Sequence, residues 1–348
     1  MTTAGPAPDA TSNDHLAPVR WGVLGASNFA LKVSLPGMMR GPLTQVVALA
    51  SRDAAKAQAA AQSLGIARAY GSYEELLADP EIEIIYNPLP NHMHAEWSAR
   101  AARAGKHVLC EKPIALDARQ AETLIAVQRE TGRLISEGFM VRHHPQWRQA
   151  KAWIEDGRIG DLVGVQTAFS YFNRDAANIR NRKDVGGGAL YDIGCYAVNT
   201  ARYLFGREPL RAVALIARDP GFGTDRLTSG LIDFGGAHLT FICSTQAVPY
   251  QRVNAFGTRG RIEIEIPFNA PATAPCRIFL DDGSSLNGSS AEATTFPILN
   301  QYQLQSEAFS RAIRTGAGIE NGIEVAVGNM RVIDALFRSA DRGGWETI

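Results

Sequence analysis

The sequence predicts an α/β architecture: an N-terminal Rossmann domain with a doubly wound parallel sheet, then a C-terminal α+β domain with a large, mostly antiparallel sheet. Three observations carry this. From Val19 to about Phe139, short apolar runs alternate with longer stretches whose apolar residues recur every three to four positions, as strands alternating with helices do. After about residue 160 the apolar period becomes two, broken by glycine-containing turns, which reads as antiparallel hairpins. And 348 residues exceed one core of roughly 100–200, so two domains are expected.

In the first region RWGVLGA, QVVALAS, EIEIIYN, KHVLCE and RLISEGF read as strands. Ser72 followed by Glu75 is a capping box ahead of EELLAD, and Gly65 and Gly105 sit where helices would stop in the left-handed conformation. In the second region DLVGVQTAFSYF, GLIDFGGAHLTFIC and RVNAFGTRGRIEIEIPF alternate apolar and polar positions. Two helical stretches follow, QYQLQSEAFSRAIR and GIEVAVGNMRVIDALFRSA. The expected division is a flexible arm over 1–18, a dinucleotide-binding domain over 19–140, and a substrate-binding and oligomerisation domain over 141–348.

With 45% hydrophobic residues, 20% charged and 35 basic against 35 acidic side chains, the composition is that of a globular chain and gives no support to a nucleic-acid or anionic-membrane partner. No run approaches the ~18 apolar residues of a membrane helix. Residues 1–18 are small, polar and Pro-containing, without the apolar stretch of a signal peptide. Cys110, Cys195, Cys243 and Cys276 lack CxxC spacing, which fits a reducing, cytoplasmic compartment.

WGVLGASNFA places Gly25, Ser27 and Ala30 at the three positions of a GxGxxG/A turn, with Ala26, Asn28 and Phe29 between them. Such a turn joins a strand to a helix whose N-terminal N–H groups and dipole receive a pyrophosphate; Ser27 departs from the usual middle glycine. The second strand ends VVALASRDAAK. Ser51, Arg52 and Lys56 form a set that accepts a 2′-phosphate, whereas Asp53 falls where a helix N-cap is expected. These residues favour NADP over NAD. Further on, HVLCEKPIAL ends a strand with Glu111 and Lys112 at the edge where open α/β sheets bind ligands, and Pro113 fixes the backbone that aims the lysine.

Residues 86–116, YNPLPNHMHAEWSARAARAGKHVLCEKPIAL, and residues 186–199, GGGALYDIGCYAVN, resemble the glucose–fructose oxidoreductase, inositol dehydrogenase and MocA (Gfo/Idh/MocA) family of NAD(P)-dependent sugar oxidoreductases. The resemblance runs from about Val19 to the C-terminus. NPLPN with the tyrosine form of the GGG motif is most similar to glucose–fructose oxidoreductases, aldose dehydrogenases and dimeric dihydrodiol dehydrogenases. It implies that Lys112 and Tyr196 flank the nicotinamide, that Asp192 contacts the sugar, and that Asn87, Leu89, Asn91 and His94 touch the cofactor. The residues agree with that implication. Asp192 and Tyr196 are four apart and share one helix face, and the glycines before them are read as letting backbone approach cofactor or substrate. A phenol of pKa about 10 is a poor base near neutral pH, and a neighbouring ammonium would lower it.

Arg142 or Trp147 is placed near the cofactor, with packing the alternative for either, and Arg180 and Tyr302 are candidate substrate contacts. His92, His94, His143 and His144 lack a carboxylate or cysteine at ligand spacing, so no metal is expected. The expected reaction is aldopyranose plus NADP to aldonolactone plus NADPH, with a variant that retains the cofactor and passes the hydride to a second sugar. The alternatives are a non-catalytic NADP-binding sensor and a redox-neutral glycosidase. A small sugar is the expected partner, with assembly as a dimer or tetramer to cover an exposed sheet face.

Overall fold

The computed structural model describes residues 2–4 and 16–348. In chain order the elements are β1 (Thr2–Ala4), β2 (Val19–Leu24), α1 (Leu35–Met38), β3 (Thr44–Ala50), α2 (Ala54–Leu64), β4 (Arg68–Tyr70), α3 (Tyr73–Ala78), β5 (Ile84–Asn87), α4 (His94–Arg103), β6 (His107–Glu111), α5 (Ala118–Thr131) and β7 (Ile135–Gly138). There follow α6 (Pro145–Glu155), β8 (Leu162–Phe172), α7 (Cys195–Phe205), β9 (Arg211–Arg218), β10 (Asp225–Asp233), β11 (His238–Ser244), β12 (Gln246–Gly257), β13 (Arg261–Ile264), β14 (Cys276–Asp281), β15 (Glu292–Phe296), α8 (Gln301–Thr315), α9 (Ile323–Arg342) and β16 (Glu346–Thr347). Most of the expected N-terminal arm lies outside the described residues; within it, Thr2–Ala4 forms a strand parallel to β15.

The chain divides into two compact units, one of them comprising, among the described residues, 16–140 and Asn300–Met330. Its six strands are all parallel, in the order β4-β3-β2-β5-β6-β7. The order reverses between β2 and β5, the switch point at which such sheets open a crevice at their strand C-termini. Strand residues Trp21, Val23, Leu49, Ile84, Tyr86 and Leu109 are buried in its core. The helix signals work as the sequence indicates: Ser72 accepts from the Glu75 N–H at 3.2 Å, and Gly65 and Gly105 have φ of +68° and +82°.

Helix α8 belongs to this unit, whereas the sequence division puts it in the second domain. The Trp21 indole N–H donates to Ser310 Oγ at 3.1 Å, Phe309 packs 5.9 Å from the Trp21 ring, and Thr44 Oγ1 donates to Ser306 Oγ at 3.0 Å. Amphipathic periodicity shows that a helix has a buried face, and says nothing of which sheet receives it.

The other unit holds Val141–Leu299, Arg331–Ile348 and the N-terminal strand. Its ten strands run β1-β15-β14-β13-β12-β8-β11-β10-β9-β16, parallel at β1/β15 and β8/β11 and antiparallel elsewhere. One face is buried through Val165, Phe169, Leu239, Phe241, Val253 and Ala255, and α7 packs on β8. Period two thus places one residue set in the core and the other on the open face. No helix among the described residues is long and apolar enough to cross a membrane.

Candidate active site

In the nucleotide-binding unit the chain leaves β2 through Gly25, whose φ is +85° and whose N–H donates to the Ala50 carbonyl at 2.8 Å. A Cβ on Gly25 would sit 2.9 Å from Leu89 Cδ2, so the turn requires glycine for both conformation and space. Ser27 then opens the helix, its Oγ accepting from the Ala30 N–H at 3.1 Å and its carbonyl from the Leu31 N–H at 3.0 Å. A hydroxyl at the middle fingerprint position therefore caps the helix that follows. Ala26 and Ala30 are buried, Asn28 is exposed and Phe29 half-buried; Ala30–Ser34 forms a π-helical turn.

At the end of β3, Asp53 caps α2 by accepting from the Lys56 N–H at 3.0 Å. Ser51 is buried, and Arg52 and Lys56 are exposed, with Arg52 beside the Tyr73 hydroxyl. After β5, Asn87 ties down its own loop: its amide donates to the His94 carbonyl and to Ser98 Oγ, both at 3.1 Å, and its Oδ1 accepts from the Leu89 N–H at 3.4 Å. Asn91 begins the following 3₁₀ turn.

His94 bridges two backbone segments, Nδ1 lying 2.7 Å from the Pro113 carbonyl and Nε2 2.6 Å from the Leu89 carbonyl. Burial, with the Lys112 charge adding to it, pushes the imidazole down to about 4, so the neutral ring has one N–H for two carbonyls. It locks the loop after β5 to the backbone next to Lys112. Glu111 accepts from the Tyr86 hydroxyl at 2.7 Å, Lys112 is half-buried at the β6 terminus, and the Lys112–Pro113 bond is cis. Tyr302, read as a substrate contact, lies in this unit with its ring edge-on to Phe29, centroids 5.9 Å apart.

In the second unit Tyr196 lies at the start of α7, nearly buried, its ring 5.8 Å from Phe169 and 5.3 Å from Phe268. Asp192 is on the π-helical turn Leu190–Gly194 that leads into α7. Arg180 Nε donates to Asp192 Oδ2 at 2.9 Å and the Tyr171 hydroxyl donates to the same oxygen at 2.6 Å. The Asp192 carboxylate holds the Arg180 guanidinium firmly charged, while burial and the same negative charge push the Tyr171 phenol well up. Tyr171 is thus a proton donor to Asp192. It is absent from the residues singled out in the sequence, although its position on the buried parity of β8 with Val165 and Phe169 marked it as a polar group needing a partner.

The glycines ahead of this turn have a different reason from the one expected. A Cβ on Gly187 would strike the carbonyls of Ile179, Arg180 and Arg182 at 2.5–2.7 Å. At Gly188, where φ is +124°, it would run into Asp225 Oδ1. The motif lets backbone approach backbone and a buried carboxylate of the protein's own, fixing Arg180 and the helix start relative to each other. Trp147 takes the packing alternative: it is fully buried, its indole N–H donates to the Pro267 carbonyl at 2.8 Å, and its ring stacks on Phe268. Arg142 is buried with its guanidinium 4.3 Å above the Tyr203 ring. Among the described residues no three His, Cys, Asp or Glu side chains are grouped to hold a metal ion.

Residues 19–139 match the family described as the oxidoreductase family with an NAD-binding Rossmann fold (GFO/IDH/MocA), and residues 147–263 match the GFO/IDH/MocA C-terminal domain. D-xylose 1-dehydrogenase (NADP(+)) 2 of Haloferax volcanii is 36% identical over 328 residues, covering 93% of this chain and 98% of its own. A solved 3-ketoreductase from Actinomadura kijaniata, in complex with NADP and TDP-benzene, has a TM-score of 0.85 at 32% identity, covering 92% of this chain and 98% of its own. An aldose-aldose oxidoreductase from Caulobacter crescentus, complexed with glycerol, has a TM-score of 0.86 at 26% identity, with 95% and 100% covered.

Proposed function

The chain belongs to the GFO/IDH/MocA family of oxidoreductases, and from that premise we propose that it oxidises C1 of an aldopyranose to the aldonolactone with NADP. The observation that carries the reading is the carboxylate of Asp192, aimed by Tyr171 and Arg180 from the same helix turn that leads to Tyr196. That arrangement supplies a fixed acceptor for a sugar hydroxyl and, one helical turn on, a phenol for proton transfer.

The residues after β2 and β3 fit a dinucleotide phosphate. Gly25 makes the tight turn out of β2, so the N–H groups of the helix opened by Ser27 would receive the pyrophosphate, and exposed Arg52 and Lys56 would take the 2′-phosphate beside Ser51. Bound there, the nicotinamide supplies a hydride acceptor for the hydrogen on sugar C1. Tyr196 accepts the proton of the C1 hydroxyl as that hydride leaves. Lys112 stabilises the phenolate form of Tyr196, and Asp192 orients the sugar. Glu111, Asn87 and His94 hold the Lys112 backbone and the loop beside it, while Tyr302, the proposed substrate contact, packs edge-on against Phe29.

Because a 2′-phosphate is what separates the two cofactors, Arg52→Ala is expected to weaken NADPH binding by about tenfold or more while changing NADH binding little. Fluorescence titration with both cofactors checks this; equal losses would remove Arg52 from the phosphate site. Identification of the product of aldose oxidation as a lactone tests the reaction itself. The likeness to the aldose-aldose oxidoreductase supports a variant in which hydride returns to a second sugar, and a nicotinamide absorbance band surviving dialysis is its mark.

A second reading, reduction of a keto group on a nucleotide-linked sugar, is favoured by the likeness to the 3-ketoreductase. It uses the same groups in reverse, Tyr196 giving its proton to the carbonyl oxygen. Either way the open face of the ten-stranded sheet, where Leu215 is 80% exposed and Ile242 and Tyr250 are exposed beside it, suits a second copy of the chain.

A further inference from the structure

Asp225 belongs to no part of the reaction described above, yet it is a buried carboxylate that ties β10 to the turn ahead of α7. It begins β10, is 2% exposed, and reaches across to the helix that carries Asp192 and Tyr196. Its Oδ2 accepts from the Leu190 N–H at 2.6 Å and from Thr228 Oγ1 at 3.1 Å. Its Oδ1 fills the space that a side chain on Gly188 would take. Leu190 opens the π-helical turn and has no cap from its own segment: the preceding Ala189 makes no side-chain cap bond. The N–H left over at a helix start is thus met by an acid from another strand, where a negative charge also opposes the positive end of the helix dipole.

We propose that Asp225 is a positioning residue for the reaction, clamping the start of the helix so that Asp192 and Tyr196 are held in their working geometry. The inference rests on the reading of Tyr196 as proton acceptor and Asp192 as sugar contact. It explains the third glycine of the motif: residue 188 must be glycine because the clamp occupies its Cβ position.

The electrostatics indicate that the clamp is kept at a cost to the fold. Burial raises Asp225 to about 6, against hydrogen bonds and the Arg218 guanidinium from β9, which act the other way; Cys243 from β11 is the neighbouring titratable group. A carboxyl whose folded pKa lies above its unfolded value favours folding in its protonated form. That contribution is complete below about pH 4 and is lost as pH rises through about 6. At neutral pH Asp225 is ionised, and its unit is then less stable than it would be with the neutral carboxyl, whose charge state Asn reproduces.

Three variants test this: Asp225→Asn, which keeps one acceptor oxygen and loses the charge; Asp225→Ala, which loses both; and Thr228→Val, which removes the carboxylate's second donor. Amide hydrogen exchange over residues 186–196 is the readout independent of substrate, and kcat, KM, NADPH affinity and melting temperature at neutral pH are measured beside it. The proposal expects exchange in that segment to accelerate at least tenfold in Asp225→Ala and less in the other two. It expects kcat to fall about 10–100-fold in Asp225→Ala and severalfold in Asp225→Asn, with NADPH affinity unchanged and the Asp225→Asn melting temperature equal to or above wild type. Unchanged exchange in all variants would overturn the clamp. Wild-type kcat despite accelerated exchange would overturn its positioning role, as would a joint loss of kcat, NADPH binding and melting temperature in Asp225→Asn. Should Asp225→Ala not fold, Asp225→Asn and Thr228→Val decide the matter by the same readouts. A wild-type protein that oxidises no aldose counts against the functional reading alone, because exchange still decides the clamp.

Discussion

Tyr196→Phe is expected to lower turnover of the best aldose by ~10²–10⁴, the range typical of losing a positioned acid–base group. The ring keeps its contacts with Phe169 and Phe268, so the melting temperature should stay within a few degrees of wild type. NADPH affinity should not change, since the Gly25 turn and the Arg52 and Lys56 side chains are untouched. Neither of the other candidate proton acceptors is placed to substitute. His94 is buried with both ring nitrogens on backbone carbonyls, and Asp192 is ion-paired with the Arg180 guanidinium, which favours its carboxylate over a protonated acid. Steady-state kinetics with cofactor binding followed separately checks the prediction, and wild-type turnover in Tyr196→Phe would reduce Tyr196 to a packing residue.

Lys112→Met should cost a similar factor, through a different signature. The variant keeps the length and much of the packing of the lysine stem while removing its charge. On the role proposed for Lys112, removing the ammonium takes away what would favour the ionised Tyr196 phenol, so residual activity should rise only at higher pH. The measurement is the pH profile of kcat for wild type and variant on one aldose. An unshifted alkaline limb would mean that Lys112 acts on the sugar or cofactor and leaves the tyrosine pKa alone.

The parallel sheet was the most legible part of the chain, because buried parallel strands are near-continuous apolar runs and the helices between them carry their own stop signals. Strand β4, three residues long, and β16, two residues long, offer too short a run to read; β9, β14 and β15 are absent from the strands read above although turn residues such as Pro220–Gly221 and Asp282–Gly283 flank them. The assignment of α8 to the nucleotide-binding unit was not legible at all: it depends on Ser306 and Ser310 meeting Thr44 and Trp21 more than 250 residues away.

The site was legible where a residue type has few uses. Gly25 at a strand end, Asp53 at a helix start, and a tyrosine four residues after an aspartate each narrow the possibilities. What local sequence cannot supply is the partner across the fold. Tyr171 and Arg180 converge on one oxygen of Asp192 from β8 and from the loop ahead of the glycines, and Asp225 reaches Leu190 from β10. For Trp147 the sequence left ligand and packing both open, and only Pro267 and Phe268, distant in the chain, show that it packs in the core.

NADP-linked oxidation of a free sugar is measured most directly by the near-ultraviolet absorbance of NADPH when the wild-type protein is mixed with NADP and each member of a panel of unphosphorylated aldoses, with the product identified by mass. NADPH is expected to accumulate with at least one aldose, much faster with NADP than NADH with NAD, and one lactone to form per NADPH. No NADPH with any aldose, together with NADPH consumption when a nucleotide-linked keto sugar is supplied, would contradict it.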